Sequence, residues 1–244
     1  MCDGILFFDK NAIIVLHISN SQPIDFYKGD NERIFVNPQQ FETIWNCDLS
    51  GIHISNYLYV KDKFKISDIV FLASNCLMLR NPTEYIKDYD CGFSEFQHDC
   101  SKLTPPLLVK DYQIQWAGDL HKTKEFSSIL EELNTTKIYG CMIDGGYVKS
   151  YIMDKLVYFC QKNYKYEKLN LLPAGLQEKL FPTIACNLTN KISDALLYYC
   201  DQNLEGFQNL LKREDVFFNK RISRDINNPI RQYYNKIIYE KYPY

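Results

Sequence analysis

The stretch "DIVFLASNCLMLR", residues 68–80, decides how this chain is read. Its apolar run, Ile69 to Ala73, has the length of a strand and ends in a small polar pair, Ser74-Asn75. Further on stands "DYD", Asp88 to Asp90, with the look of a carboxylate pair for a divalent cation. Ligands of layered α/β proteins collect beyond the carboxyl ends of strands. Which of the two features occupies such an end therefore separates metal-dependent from metal-free chemistry. "NPTEYIKDY" (81–89) reads as a short helix with Asn81 as N-cap, Pro82 at the first position and Glu84 at the third. The acidic triplet then falls in a helix C-terminal turn, which is ordinarily solvated. Ser74-Asn75 is left at the strand end.

Outward from this stretch, "NAIIVLHIS" (11–19) and "RIFVNP" (33–38) read as strands, the second stopped by Asn37-Pro38. "TIWNCDLSGIHISNYLYVKDKF" (43–64) has the mixed three-to-four apolar spacing of a helix, with Asp48 or Ser50 as N-cap. Residues 91–125 read as a long irregular segment. "SSILEELNTT" (127–136) is a short helix, and "KIYGCMIDGGYV" (137–148) is a strand running into a Gly-Gly turn. "KSYIMDKLVYFCQKNY" (149–164) is an amphipathic helix, apolar at 152, 153, 156, 157, 159 and 160. "PAGLQEKLFPTIACNL" (173–188) is a loop entering another helix. Strands alternating with helices predict an α/β layered fold with a mostly parallel central sheet. A single domain over residues 1–244 is expected, with the basic segment 206–244 packed on it.

The bulk numbers exclude several classes. A net charge of -2 argues against a nucleic-acid binder, which carries a basic field. Nine cysteines, none in a CxxC pair, argue against a zinc ribbon and read as free thiols of a reducing compartment. No apolar run reaches the length of a membrane span, and the start has no basic n-region. A cytoplasmic protein is expected, and the sequons at Asn134 and Asn187 are taken as chance matches. The 15% aromatic content fills a core and can also line a sugar pocket.

GxGxxG, GxxxxGK[ST] and GxSxG are all absent, which removes support for a dinucleotide oxidoreductase, a P-loop kinase and an α/β-hydrolase. His17, His53, His98 and His121 show no metal-ligand pairing and read as structural. Glu178 has two readings. It is an ordinary first-turn acid, or a general base desolvated by Leu176, Leu180 and Phe181. Lys220, Arg221, Arg224 and Arg231 likewise form either a solvated basic face or a diphosphate clamp.

Several of these stretches, in order, resemble glycosyltransferases of the core-2/I-branching type (β-1,6-N-acetylglucosaminyltransferase-like), as found in bacterial and viral members. "IFVNPQQFETIWNCDLSGIHISNYLYV…DIVFLASNCLMLR" is similar to their strand, Trp-containing turn, helix and strand ending in Ser-Asn. "MIDGGYVKSYIMDKLVYF", "LPAGLQEKLFPTIACNL" and "KRISRDINNPIR" are similar to three later blocks. The resemblance implies a GT-A-like α/β/α sandwich and an inverting, metal-independent transfer of sugar from a nucleotide-sugar to a glycan hydroxyl. By position it makes Glu178 the base. Lys220, Arg221, Arg224 and Arg231 become diphosphate partners, and Ser74 and Asn75, in the donor site, stand where other GT-A enzymes keep the metal-binding Asp-x-Asp. Asp144, Gly145 and Gly146 shape the acceptor pocket, and Trp45 becomes a substrate-binding residue. It implies no cofactor, and as partners a donor nucleotide-sugar and a glycan or lipid-linked glycan, with peripheral association at the inner membrane face. The family's first strand–helix unit is expected to be missing, because the chain begins almost at "NAIIVLHIS". Asp144 replaces the commoner Glu, and Gln177 stands where an acid often precedes the base. Two alternatives stay open: an inactive sugar-binding or scaffolding relative, and a metal-dependent transferase using Asp88 and Asp90.

Overall fold

The computed structural model describes residues 1–27, 29–43, 48–97, 123–164, 176–199, 203–220 and 222–241. In chain order these hold α1 (Cys2–Phe8), β1 (Ile14–Leu16), a 3-10 turn (Ile24–Phe26), β2 (Ile34–Val36), α2 (Ser50–Val60), β3 (Asp68–Val70) and β4 (Leu77–Met78). There follow α3 (Thr83–Ile86), β5 (Cys91–Gln97), α4 (Lys124–Glu132), β6 (Gly140–Lys149), α5 (Ser150–Asn163) and α6 (Gln177–Leu188). The chain continues through β7 (Ile192–Asp194), β8 (Leu197–Tyr199), α7 (Leu204–Leu210), β9 (Phe218–Lys220) and α8 (Pro229–Lys241).

The strands form a sheet ordered β3-β6-β5-β7, a second ordered β4-β9-β8, and the pair β1-β2. The protein is mixed α/β, as expected, but the expected parallel sheet is corrected. β6 runs antiparallel to both β3 and β5, and only β5 and β7 run parallel in the larger sheet. β9 is antiparallel to β4 and parallel to β8. β5 lies inside the segment 91–125 that reads as irregular. Gly92 and Ser94 blurred its period, although Cys91 and Phe93 point into the core.

Strand alternation separates two apolar layers. Ile69, Phe71, Cys91, Phe93, Ile143 and Val148 face one core, covered by α2, α4, α5 and α6. Val70 and Tyr147 face the opposite side, where they meet Met78 and Phe218 of the smaller sheet. The far side of that sheet, at Leu77 and Leu79, packs under α7 and α8 through Phe207, Leu210, Ile230 and Tyr234. The C-terminal basic stretch is therefore built in, since its β9 is the middle strand of the smaller sheet. Among the described residues no helix is long and apolar enough to cross a membrane.

Local signals explain the elements. The apolar stripe read at 152–160 is the buried face of α5. Asn81 Oδ1 accepts from the Thr83 amide at 2.8 Å, as a cap should, though α3 is one turn long. Asn228 caps α8 with Pro229 at its first position. The Arg33 guanidinium donates to the Leu6, Asp9 and Lys10 carbonyls at the end of α1. Asn187, one of the sequons, ties the end of α6 to Thr135 and Lys137.

Asp48 caps two helices at once. Its Oδ1 accepts from the Ser50 amide at 2.9 Å and its Oδ2 from the Gln177 amide at 2.7 Å. Gln177 Oε1 in turn accepts from the Leu49 amide at 2.7 Å. The starts of α2 and α6, 129 residues apart in sequence, are thereby bolted together. Replacing Asp48 by Ala removes both caps and should cost about 2–4 kcal/mol in chemical unfolding. Asp48→Asn keeps one acceptor oxygen and should lose about half as much.

Gly145 and Gly146 do not form the expected turn. The chain stays in β6 through both, with Gly145 at φ +73. A Cβ on Gly145 would stand 2.1 Å from Leu197 Cβ. Gly145→Ala should lose at least about 2 kcal/mol, from the left-handed backbone and the collision together, measured as the shift in urea midpoint.

Candidate functional site

β3 does not stop pairing at Val70. Phe71 donates to the Gly146 carbonyl at 2.9 Å and accepts from the Gly145 amide at 2.7 Å. The chain then turns, with the Cys76 amide on the Ala73 carbonyl at 3.0 Å, before entering β4. Ser74-Asn75 thus caps the carboxyl end of β3, as the reading of 68–80 required.

β9 delivers the basic residues to this turn. Leu77 lies opposite Asn219 in the antiparallel register, so Lys220 falls opposite Cys76, and the Ile222 amide donates to the Asn75 carbonyl at 3.3 Å. Lys220 Nζ forms an ion pair with the Asp144 carboxylate, the residue before Gly145. Both side chains are mostly buried, at 15% and 18% exposure, so solvent screens the pair weakly. Arg224 donates to Ser74 Oγ from Nε at 3.1 Å and from Nη2 at 2.8 Å. Arg231, in the first turn of α8, donates from Nε to the Ser223 carbonyl. Partial burial, and then the Arg224 charge, hold Arg231 below its ordinary value. Among the described residues neither Arg224 nor Arg231 has a carboxylate partner. Asn75 Oδ1 is buried beside them and takes no hydrogen bond among the described residues.

An aromatic cluster packs in the core around Phe71. The His53 ring stands 4.9 Å from Phe71 and 6.2 Å from Phe181, and Phe71 and Phe181 are 5.6 Å apart. Burial pushes the His53 imidazole down to about 4, with the Asp144 charge pulling it up and His17 pushing it further down. His17 Nε2 accepts from the Phe41 amide at 3.0 Å, which fixes it as a neutral ring. Glu178 is buried in the first turn of α6, next to the Gln177 amide that Asp48 holds. Its link to the cluster runs through Phe181, three residues on, against Phe71.

Ser74, Asn75, Asp144, Gly145, Gly146, Lys220, Arg224 and Arg231 are therefore brought together. Trp45 and Arg221 lie outside the described residues. Asp88 is exposed, and Asp90 directly precedes β5, its Oδ2 accepting from Thr189 Oγ1 at 2.5 Å. The Asp90 carbonyl meets the Lys149 amide. Lys149 ends β6 five residues past Asp144, which places the acidic triplet roughly 16 Å away at the other end of the strand. A depression of about 600 Å³ lies at that other end, lined by Lys65, Ser67, Asp90, Lys149 and Tyr151. Among the described residues no cluster of three or more His, Cys, Asp or Glu could hold a metal ion. The sequence did not single out Ser223 or the place of His53 beside Asp144. Both depend on segments far apart in the chain, and no local pattern marks them.

No protein-family model matches the chain, and no curated protein matches it either.

The half-buried His53 imidazole makes stability depend on pH. His53 has its folded value depressed from 6.5 to about 4. Its contribution to stability is full above pH 6.5 and is lost as pH falls toward 4. Asp48, raised from 3.8 to about 6 by burial, works in the opposite direction over nearly the same window. Relative to wild type, His53→Gln should gain in urea midpoint as pH is lowered from 6.5 to 4.5. A constant difference would show that His53 does not titrate in this way.

Proposed function

We propose that the protein is an inverting, metal-independent glycosyltransferase with a GT-A-like fold, moving a sugar from a nucleotide-sugar to a hydroxyl of a glycan acceptor. The observation that carries this reading is that Arg224 holds Ser74 beyond β3, with the Arg231 charge near it and Lys220 entering from β9 opposite Cys76. Two guanidinium groups that have no carboxylate partner among the described residues suit a diphosphate, which they would bind through forked, charge-assisted hydrogen bonds.

In the reaction, the acceptor hydroxyl oxygen attacks the anomeric carbon as the bond from that carbon to the diphosphate oxygen breaks. The hydroxyl proton passes to the Glu178 carboxylate. The nucleoside diphosphate leaves with the bonding electron pair, and Arg224, Arg231 and Lys220 stabilise the charge that grows on it. Asn75 Oδ1 offers an acceptor for a ligand hydroxyl or N–H. The resemblance of the ordered sequence blocks supports the same assignment. The acceptor is proposed to be a glycan, free or lipid-linked.

A second reading, an inactive sugar-binding relative, is favoured by one contact: Lys220 is already engaged by Asp144. Transfer assays on wild type and Glu178→Gln, with and without EDTA, separate the two. The transferase reading expects activity that survives EDTA and falls about a hundredfold or more in the variant. Full activity in Glu178→Gln sinks the base assignment. Loss of activity in EDTA moves the chemistry to a metal. No turnover with any common nucleotide-sugar leaves the second reading.

A further inference from the structure

We propose that Asp144 is a built-in counter-ion that occupies Lys220 until an anionic ligand takes its place, so that it tunes how strongly this site holds a diphosphate. The inference rests on the reading of the cluster as an anion site. Three observations carry it. Asp144 and Lys220 form their ion pair with both side chains mostly shielded, where attraction is strong and hard to screen. Lys220 lies on the strand that leads into Arg224, opposite Cys76, and Ile222 between them is bonded to Asn75, so it borders the turn that Arg224 holds through Ser74. Arg224 and Arg231 have no carboxylate partner among the described residues, whereas Lys220 is paired with Asp144.

The backbone holds Asp144 in this position. Gly145 is pinned by Phe71 and by the Leu196 amide, which donates to its carbonyl at 3.0 Å, so Asp144 has little freedom to withdraw. An incoming anion must compete with a fixed carboxylate for Lys220. The competition lowers affinity for the starting ligand, and it lowers affinity at least as much for a more highly charged leaving group. Binding is therefore kept weak enough for the leaving group to depart. Asp144 acts here as a positioning and affinity-setting residue and takes no part in bond making.

The test uses inorganic pyrophosphate with the intact protein, by titration calorimetry in EDTA at low and high salt. Wild type, Asp144→Asn, Lys220→Met, Arg224→Gln and the double variant Asp144→Asn with Lys220→Met are compared. Asp144→Asn should bind about tenfold more tightly than wild type, and that gain should disappear in the Lys220→Met background. If the gain survives undiminished without Lys220, Asp144 acts only as a distant charge and the proposal is overturned. If Asp144→Asn binds no more tightly while Arg224→Gln binds less tightly, the anion site stands and this role for Asp144 falls. If neither wild type nor any variant binds pyrophosphate, the anion reading and this inference fall together. Should Asp144→Asn not fold, the side-chain ammonium resonance of Lys220 in ¹⁵N-lysine-labelled wild type, assigned with Lys220→Arg, serves instead. It must move on saturation with pyrophosphate, and an unmoved signal overturns the proposal.

Discussion

The close approach of Gly145 to Leu197 is the constraint on which the rest of the structure depends. Only a residue without a Cβ can hold φ +73 with another backbone this near. Through that contact the larger sheet meets the smaller one, with the Leu196 amide on the Gly145 carbonyl and Phe217 and Phe218 both donating to Leu196. Gly146 adds a second tight approach, to Phe93. The bend this allows in β6 aims Asp144 at β9, and β9 brings Lys220 and the arginine loop to the end of β3. A side chain at position 145 would push the two sheets apart and scatter the cluster.

A second lock orders the aromatic cluster. Asp48 and Gln177 exchange hydrogen bonds between the starts of α2 and α6, and α2 carries His53 while α6 carries Glu178 and Phe181. The carboxylate that does this is fully buried and raised to about 6, with the hydrogen bonds from Ser50 and Gln177 opposing the effect of burial. Such a group is destabilising when charged and unpartnered, and stabilising when its acceptors are all used. His53 has the mirror-image problem, since burial disfavours its cation. The two titrations act on stability in opposite directions in mildly acidic solution.

Much of this was legible in short windows of sequence. Helix faces and caps are local properties, so the stripe of α5, the Asn81 cap and the choice of Asp48 or Ser50 at the start of α2 could all be read from neighbours three or four residues away. The placement of Ser74-Asn75 at the end of β3 followed from an apolar run of strand length ending in polar residues. Strand direction could not be read in the same way, because β3, β5 and β6 have the same alternation whichever way their partners run. The glycine pair was misread for a related reason. Gly-Gly between apolar runs is the pattern of a turn, and only the presence of Leu197 shows why a strand needs it here.

Sequence by itself determined the mixed α/β class, the apolar face of α5, the cap at Asn81 and the candidate polar residues, because each depends on period and on contacts within a turn or two. Tertiary structure alone decided that the sheets are mixed, that Asp48 serves two helices, and that Asp144 sits on Lys220. Those outcomes join residues 76 to 150 positions apart, as with Lys220 to Asp144, Gln177 to Asp48 and Arg224 to Ser74. The energy of such contacts comes from burial and from charges brought out of water together, and no local window of the chain contains both partners.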